Sequence, residues 1–261
     1  MIRNTFSLLN GIGEKFERHL WRNGILTWDD FCNCKEISGI KPYRKNYYDD
    51  ILNVLSCQLH KGNAEFFASV MRKTEHWRLF EEFRGQAVCL DIETNGLHYK
   101  YGGYITLVGL YDGFDRKYLL RGENLTQENL CRELSGYKYL ITFSGTMFDV
   151  PFIVSSFPEI EFNIPHFDLC IASRRLGIRG GLKKIETMFD ISRDASVKGF
   201  NGYDAVKLWR HFQKGSLEAR ELLLIYNMQD TENLLGLADI LYKMMRSRSG
   251  IEEYTGEIYV C

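Results

Sequence analysis

Four acidic residues and one tyrosine lie within strongly apolar segments, and this feature constrains the fold more than any other. The segments are LDIETNGL with Asp91 and Glu93, TFSGTMFDVPF with Asp149, and LIYNMQDTENLL with Tyr226 and Asp230. A carboxylate that is buried without a partner is energetically costly. A fold that buries these three segments must therefore supply the acids with a common partner.

The first two segments predict a strand pair that brings three of the acids together. Residues 86–92 read as a buried strand, and residues two apart on a strand share a face, so Asp91 and Glu93 should project together. The stretch YKYLITFSG predicts a second strand, followed by a helix in MFDVPFIVSSF with its proline in the first turn. The turn between them should place Asp149 beside the first strand.

The third segment predicts a helix that carries Tyr226 and Asp230 on one face, because the two residues are four apart. Hard divalent cations prefer carboxylate oxygens as ligands, and such cations assist attack on a phosphodiester. Each fragment alone also occurs as an ordinary strand end or helix surface pair. Their combination, in this order and on these elements, predicts a divalent-metal site for phosphodiester hydrolysis.

The three segments resemble the three exonuclease motifs of the DnaQ-like, ribonuclease H-fold family of 3′–5′ exonucleases. The Tyr-x-x-x-Asp spacing is typical of the DEDDy branch, since the histidine branch would have His where this chain has Ile225. The segments HFDLCIASRRLG, GGLKKIETMFDI, GFNGYDAVKLW and IYNMQD are similar to the YprB-type subgroup. The resemblance covers about residues 85–242.

The resemblance implies roles for individual residues. Two Mg²⁺ or Mn²⁺ ions would be held by the four acids, and Tyr226 would orient the attacking water. Asp168 matches a family position near the site, although a helix N-cap is a plain structural interpretation of the same residue and is the one that we favour. Many relatives have Asn where this chain has Ser144, so a substrate contact there would be made differently. The implied nucleic-acid contacts in the first two motifs are Thr94, Asn95, Gly96, Leu97, Ser144 and Phe148.

Two further stretches suggest phosphate contacts. The stretch from Arg174 to Lys184 contains basic residues and no acid, and it is either a phosphate-tracking edge or a solvated helix end. The N-terminal LLNGIGEKF resembles a helix-hairpin-helix turn, whose glycines allow backbone N–H groups to meet a phosphate. Such turns also simply join helices, and a degenerate second copy falls in EISGIKPYRK. The proposed contacts are Gly11, Gly13, Lys15, Arg174, Arg175, Arg179 and Lys183.

The sequence as a whole predicts an α/β protein with a ribonuclease H-like mixed sheet flanked by helices. The 261 residues divide into a small all-helical hairpin domain (1–60), a connecting amphipathic helix (61–84), the exonuclease domain (85–245) and a C-terminal tail (246–261) that is either an edge strand or loose. Early strands joined by turns suggest antiparallel pairing, and the later alternation with helices suggests parallel additions.

Composition and charge indicate the kind of cellular compartment in which the protein is expected. The net charge is −1, and the seven cysteines form no C-x-x-C pair, which favours a reducing compartment. We found no membrane segment or signal peptide and expect a cytoplasmic protein without a membrane partner, which could form a homo-oligomer.

The function that the sequence predicts is 3′–5′ exonuclease activity on single-stranded nucleic acid with a free 3′ end, with DNA favoured and 5′ mononucleotides as products. One alternative is a ribonuclease H-like endonuclease that cuts hybrids or junctions. Another is a non-catalytic nucleic-acid-binding adaptor, although all four carboxylates and the tyrosine are present.

Overall fold

The protein is built around a five-stranded mixed sheet, described for residues 1–256 in a computed structural model. The strand order is β3-β2-β1-β4-β5, with β1 and β2 and also β2 and β3 antiparallel, and with β4 parallel to both β1 and β5. The predicted combination of antiparallel and parallel pairing is therefore confirmed. The strands are β1 (Ala87–Thr94), β2 (Ile105–Tyr111), β3 (Arg116–Leu120), β4 (Tyr139–Thr142) and β5 (His166–Asp168).

Helices cover both faces of the sheet and form the N-terminal region. Residues 1–256 also contain five short 3-10 segments, at Ile2–Asn4, Lys73–Leu79, Arg84–Gln86, Tyr99–Tyr101 and Ala195–Val197. The α-helices are α1 (Glu14–Arg22), α2 (Trp28–Asn33), α3 (Pro42–His60), α4 (Ala64–Val70), α5 (Phe80–Phe83), α6 (Gln127–Leu134), α7 (Asp149–Ser156), α8 (Leu169–Arg175), α9 (Leu182–Met188), α10 (Gly202–Gln213), α11 (Leu217–Ser249) and α12 (Glu252–Thr255).

The alternation of side chains along β1 decides which face receives the acids. Val88, Leu90 and Ile92 belong to the core that contains Leu130 of α6 and Phe152 of α7. The intervening positions, beginning with Ala87 and Cys89, belong to the opposite core, which α11 covers. Because side chains alternate along a strand, Asp91 and Glu93 must point toward α11.

Helix α11 crosses the sheet and presents one buried stripe to it. Its start is capped by Ser216, whose side chain accepts a hydrogen bond from the Ala219 N–H, and Gly250 ends it at φ +85°. The buried positions follow the three- and four-residue spacing of a helix face. Tyr226 and Asp230 lie within this stripe, and apolar side chains continue it on either side of them. The buried residues of the stripe include Leu223, Tyr226, Asp230, Leu234, Leu237, Leu241 and Met245.

The N-terminal region packs against the sheet through a hydrophobic cluster shared with α11. A buried ion pair reinforces this packing: the Arg78 guanidinium lies 3.0 Å from the Glu17 carboxylate, and both side chains are only 2% exposed. Glu17 also accepts the backbone N–H groups of Phe6 and Ser7 at 2.7 and 3.0 Å. One carboxylate on α1 therefore fixes both the chain start and the segment that leads into the sheet.

The segment 61–84, predicted as one amphipathic helix, is divided in the structure. Helix α4 ends at Val70, Met71 and Arg72 are extended, and a 3-10 segment and α5 follow. The break lets His76 and Arg78 bury their polar groups against the sheet and the N-terminal region: the Tyr139 hydroxyl donates to the His76 carbonyl at 2.8 Å, and Arg78 binds Glu17. A continuous helix with one apolar stripe would not reach both partners.

The helix-hairpin-helix resemblance is only partly reflected in the N-terminal geometry. Gly11 has φ +85° and Gly13 caps α1, but the element before this turn is the 3-10 segment Ile2–Asn4 rather than an α-helix. The Arg44 guanidinium packs on the turn and donates to the Asn10 carbonyl at 2.9 Å. Gly11, Gly13 and Lys15 remain exposed, and their binding of nucleic acid stays a prediction.

The C-terminal tail, predicted to begin at residue 246, starts as helix. Residues 246–249 complete α11 and α12 follows, while residues 257–261, on which the predicted edge strand partly falls, lie outside the described residues. None of the helices in residues 1–256 has the length and apolarity that crossing a bilayer requires.

Candidate active site

Three of the predicted acids meet between β1 and α11. Carboxylate oxygens of Asp91, Glu93 and Asp230 all lie within 4.8 Å of one another. The two strand residues point at α11 because of the alternation along β1, and Asp230 points back because it lies on the buried stripe of α11. The structure thus brings together acids that are far apart in sequence.

Asp149 reaches the same site from the start of α7. Its Oδ1 accepts the backbone N–H of Ile92 at 3.1 Å, so the carboxylate lies beside the strand position between Asp91 and Glu93. The side chain is 3% exposed. The predicted turn after β4 therefore delivers Asp149 to the first strand, as the sequence indicated.

Asp168 holds the loop that delivers Asp149. Its Oδ1 accepts the N–H of Ser144 and its Oδ2 that of Thr146, both at 3.0 Å, and Oδ1 also accepts the Cys170 N–H at 3.0 Å. Ser144 adopts φ +66°, a left-handed conformation that Asp168 stabilises by binding its amide. The N-cap interpretation of Asp168 is correct, and the same carboxylate also positions the second motif.

Burial and charge repulsion perturb the pKa values of three of the four site acids. Burial, followed by the neighbouring carboxylates, raises the pKa of both Asp91 and Glu93 well above the usual range. Burial raises the pKa of Asp149 to about 7, against the opposing hydrogen bond from Ile92. Repulsion of this kind is relieved when a cation binds the group.

We expect the stability of the metal-free protein to fall as pH rises. The pKa of an Asp in the unfolded chain is about 4, whereas that of folded Asp149 is about 7. Between these two pH values, folded Asp149 keeps a proton that the unfolded chain has released. The stabilisation is complete below that window and lost above it. Urea unfolding in EDTA at pH 5 and pH 8 measures this fall. From pH 5 to pH 8, the free energy of unfolding should decrease less for Asp149→Asn than for the wild type. An equal loss in the two proteins would contradict the burial of this carboxyl.

The site also contains two cations. The Lys183 ammonium donates to the Tyr226 hydroxyl at 2.9 Å and to the Phe200 carbonyl, and it lies 4.3 Å from the centre of the Tyr226 ring. Arg193 forms an ion pair with Asp230. The sequence interpretation placed Lys183 on a phosphate-tracking edge; the structure places it against the site tyrosine. Arg193 was missed, because no spacing links it to the motifs.

Asn227 is a further site residue that the sequence interpretation missed. Its Nδ2 donates to Asp91 Oδ2 at 2.8 Å, and the residue is fully buried. A signal was available, since Asn227 lies three residues before Asp230 and therefore on the same helix face. Gly109 of β2 pairs with Asp91 across the strands and makes room for this side chain: a Cβ there would lie 2.2 Å from Asn227 Oδ1.

We expect Gly109→Ala to destabilise the protein by about 1–3 kcal/mol, the usual effect of overpacking a core. The methyl group would push the buried Asn227 and the adjacent Thr231, and hence α11, away from the sheet. Thermal unfolding measures the change. Gly236→Ala is the matched control, because Gly236 lies on α11 with open space around it and should gain up to about 1 kcal/mol from helix propensity. Equal stability of the Gly109→Ala and wild-type proteins would contradict the close packing.

The residues predicted to receive the terminal nucleotide lie at the end of β1 and in the loop that follows it. Asn95 organises it, since its Oδ1 accepts the N–H groups of Leu97 and Tyr104 at 3.3 and 3.2 Å. Thr94 Oγ1 accepts the Gly96 N–H, and the Leu97 side chain is 52% exposed. Phe148, just before α7, is also exposed and its ring contacts that of Phe152. The apolar side chains of this loop and of Phe148 are therefore available to a substrate.

The basic stretch 174–184 divides into different environments. Arg175 pairs with Glu14 and Glu75 at 3.1 and 2.6 Å and is thereby committed to packing the N-terminal region against α8. Arg174 and Arg179 are exposed at the end of α8 and in the following loop. Arg174 and Arg179 remain predicted phosphate contacts. Arg175 is less suited to bind phosphate than either of them, because its guanidinium is already paired with two carboxylates.

The donor set fits a hard divalent cation. Carboxylate oxygens of Asp91, Glu93 and Asp230 converge, the pKa values of Asp91 and Glu93 are raised, and Arg193 already forms an ion pair with Asp230. Oxygen ligands of this type suit Mg²⁺ and Mn²⁺. Asp91, Glu93 and Asp230 would hold such an ion directly, with Asp149 adjacent to them.

A family model agrees with this geometry. The model described as RNase_H superfamily matches residues 88–242, which is more than half of the chain and spans every site acid. A search of curated proteins finds no match.

Proposed function

The chain belongs to the RNase_H superfamily, and from that membership and the site we propose that it is a metal-dependent 3′–5′ exonuclease of the DEDDy type. The superfamily indicates a nuclease-type hydrolase. We infer a substrate of single-stranded nucleic acid with a free 3′ end, with DNA favoured and 5′ mononucleotides as products. The observation that carries the proposal is the convergence of Asp91, Glu93 and Asp230 beside Asp149 and Tyr226.

The acids would act as ligands of two Mg²⁺ or Mn²⁺ ions. Such ions supply Lewis-acid stabilisation to the attacking and leaving oxygens of a phosphodiester. The protein contributes a fixed geometry, because Asp91 is held by Asn227 and Asp149 by the Ile92 amide. The acids are therefore placed before the substrate arrives, which reduces reorganisation in the reaction.

Tyr226 would orient the attacking water rather than remove its proton. Burial and the nearby carboxylates raise the pKa of its phenol, so the hydroxyl stays protonated at neutral pH. Because the Lys183 ammonium donates to the phenol oxygen, the Tyr226 O–H must point away from Lys183 and can donate to a different acceptor. A protonated phenol held in this way is a hydrogen-bond donor of fixed direction.

Tyr226→Phe should lower kcat by about 10- to 100-fold, the range associated with a misplaced reactant, and leave substrate affinity nearly unchanged. The ring would remain packed against Phe200, so the fold should be retained. Single-turnover kinetics with a labelled oligonucleotide separate the two effects. An equal loss of rate and affinity would assign Tyr226 to substrate binding.

Product analysis tests the proposal as a whole. Single-stranded DNA and RNA labelled at the 5′ end are incubated with and without Mn²⁺. The proposal predicts a ladder that shortens from the 3′ end only with metal, and no digestion of a 3′-blocked oligonucleotide. Internal cleavage of the blocked oligonucleotide would instead identify an endonuclease, and binding without cleavage an adaptor.

A further inference from the structure

Arg193 is bound within the candidate site by two different carboxylates. Its Nε and Nη2 donate to Glu186 at 2.6 and 2.8 Å, and its Nη1 pairs with Asp230. The side chain is 9% exposed. Since a guanidinium remains charged at every physiological pH, this cation is a permanent part of the site.

Glu186 anchors Arg193 independently of Asp230. The Glu186 side chain is 1% exposed on α9, and its Oε1 also accepts the Asn233 side-chain amide at 2.9 Å. The bidentate pairing uses one edge of the guanidinium, and the Asp230 contact uses the remaining Nη1. Loss of the Asp230 contact alone would therefore leave Arg193 in place.

A divalent cation and the Arg193 contact compete for the same group. Asp230 belongs to the set of carboxylates that converge for a metal, and a cation bound there would repel a guanidinium on the same carboxylate. Because the Glu186 clamp holds the guanidinium near the site, the freed N–H groups would face whatever anion enters. Guanidinium N–H groups match the geometry of phosphate oxygens.

The formal charges favour the same arrangement. Among the residues that this inference uses, the four site acids and Glu186 carry five negative charges and Lys183 and Arg193 carry two positive charges, a sum of minus three. Two divalent cations would turn this into plus one. The single negative charge of a phosphodiester would then neutralise the site, provided that Arg193 stays.

We propose that Arg193 is the resident counter-cation of Asp230, which yields that carboxylate to metal and then binds a phosphate oxygen of the substrate strand or the product. This role rests on the proposed function. It makes Arg193 a phosphate-binding residue that the acid motifs do not include.

Calorimetric titration with Mn²⁺ and then with 5′-dAMP in saturating Mn²⁺ tests the inference. Arg193→Ala should bind Mn²⁺ about 10-fold more tightly, because the internal competitor is removed, and 5′-dAMP about 10-fold more weakly, each equivalent to about 1.4 kcal/mol. Arg193→Lys keeps the positive charge but lacks the planar guanidinium, and it provides a second variant in case Arg193→Ala does not fold. Its affinities for Mn²⁺ and for 5′-dAMP should lie between those of the wild type and of Arg193→Ala. Arg84→Ala is the control, since Arg84 forms a comparable bidentate pair with the exposed Asp239.

The outcomes separate the two claims. Unchanged Mn²⁺ affinity in both Arg193 variants would overturn the counter-cation role, and unchanged 5′-dAMP affinity would overturn the phosphate contact. A wild-type protein that binds no Mn²⁺ would overturn the proposed function itself, and the inference with it.

Discussion

Asp91→Asn should reduce metal-dependent hydrolysis by at least about 10³-fold, the upper range for losing one electrostatic stabiliser of a transition state. The amide has nearly the same shape and its oxygen can still accept the Asn227 hydrogen bond, but it lacks the charge that a metal requires. Initial rates on a labelled oligonucleotide in Mn²⁺ measure the loss. Activity within a few fold of the wild type would exclude Asp91 from the metal site.

The same substitution should stabilise the metal-free protein, which distinguishes a lost ligand from a damaged fold. Asp91 is repelled by Asp149, Glu93 and Asp230, and removing its charge should gain about 0.5–2 kcal/mol at pH 8 in EDTA. Thermal unfolding measures the gain. Asp239→Asn is the control: it lies on α11 but pairs with exposed Arg84, and it should leave activity unchanged. A less stable Asp91→Asn protein would indicate that the carboxylate is structural.

Glu17→Ala should destabilise the protein by about 3–5 kcal/mol, the range for breaking a buried ion pair. The substitution leaves buried Arg78 with Glu75 and the Thr5 hydroxyl as its hydrogen-bond partners, and it also deprives the N–H groups of Phe6 and Ser7 of their acceptor. Urea unfolding monitored by tryptophan fluorescence measures the change.

Glu14→Ala is the matched control for that experiment. Glu14 lies on the same helix and also pairs with an arginine, Arg175, but its side chain is 65% exposed. Exposed pairs contribute at most about 1 kcal/mol, so Glu14→Ala should unfold nearly as the wild type does. Similar, small losses for both variants would mean that the Glu17–Arg78 pair does not connect the N-terminal region to the sheet.

The sheet and the meeting of the acids could be predicted because each depends on local periodicity. Alternation along β1 determines the face of Asp91 and Glu93, and four-residue spacing on α11 determines that of Tyr226 and Asp230. Only the pairing of these faces required the three-dimensional structure. The mixed sheet followed from short early turns and later helices between strands.

The features that could not be predicted depend on contacts between distant segments. Arg193 and Glu186 form their pair through a loop whose path no pattern determines. Gly109 looks like an ordinary strand glycine until α11 is placed against it. The break after α4 arises because buried Arg78 must reach Glu17 on another element, a tertiary requirement that overrides helical periodicity.

The most direct test of the central claim is the anomalous diffraction of crystals soaked in Mn²⁺ and 5′-dAMP. We expect two Mn²⁺ peaks among Asp91, Glu93, Asp149 and Asp230, with the nucleotide phosphate between them and Arg193. A map with no Mn²⁺ at these carboxylates, from crystals in which the nucleotide is bound, would contradict it.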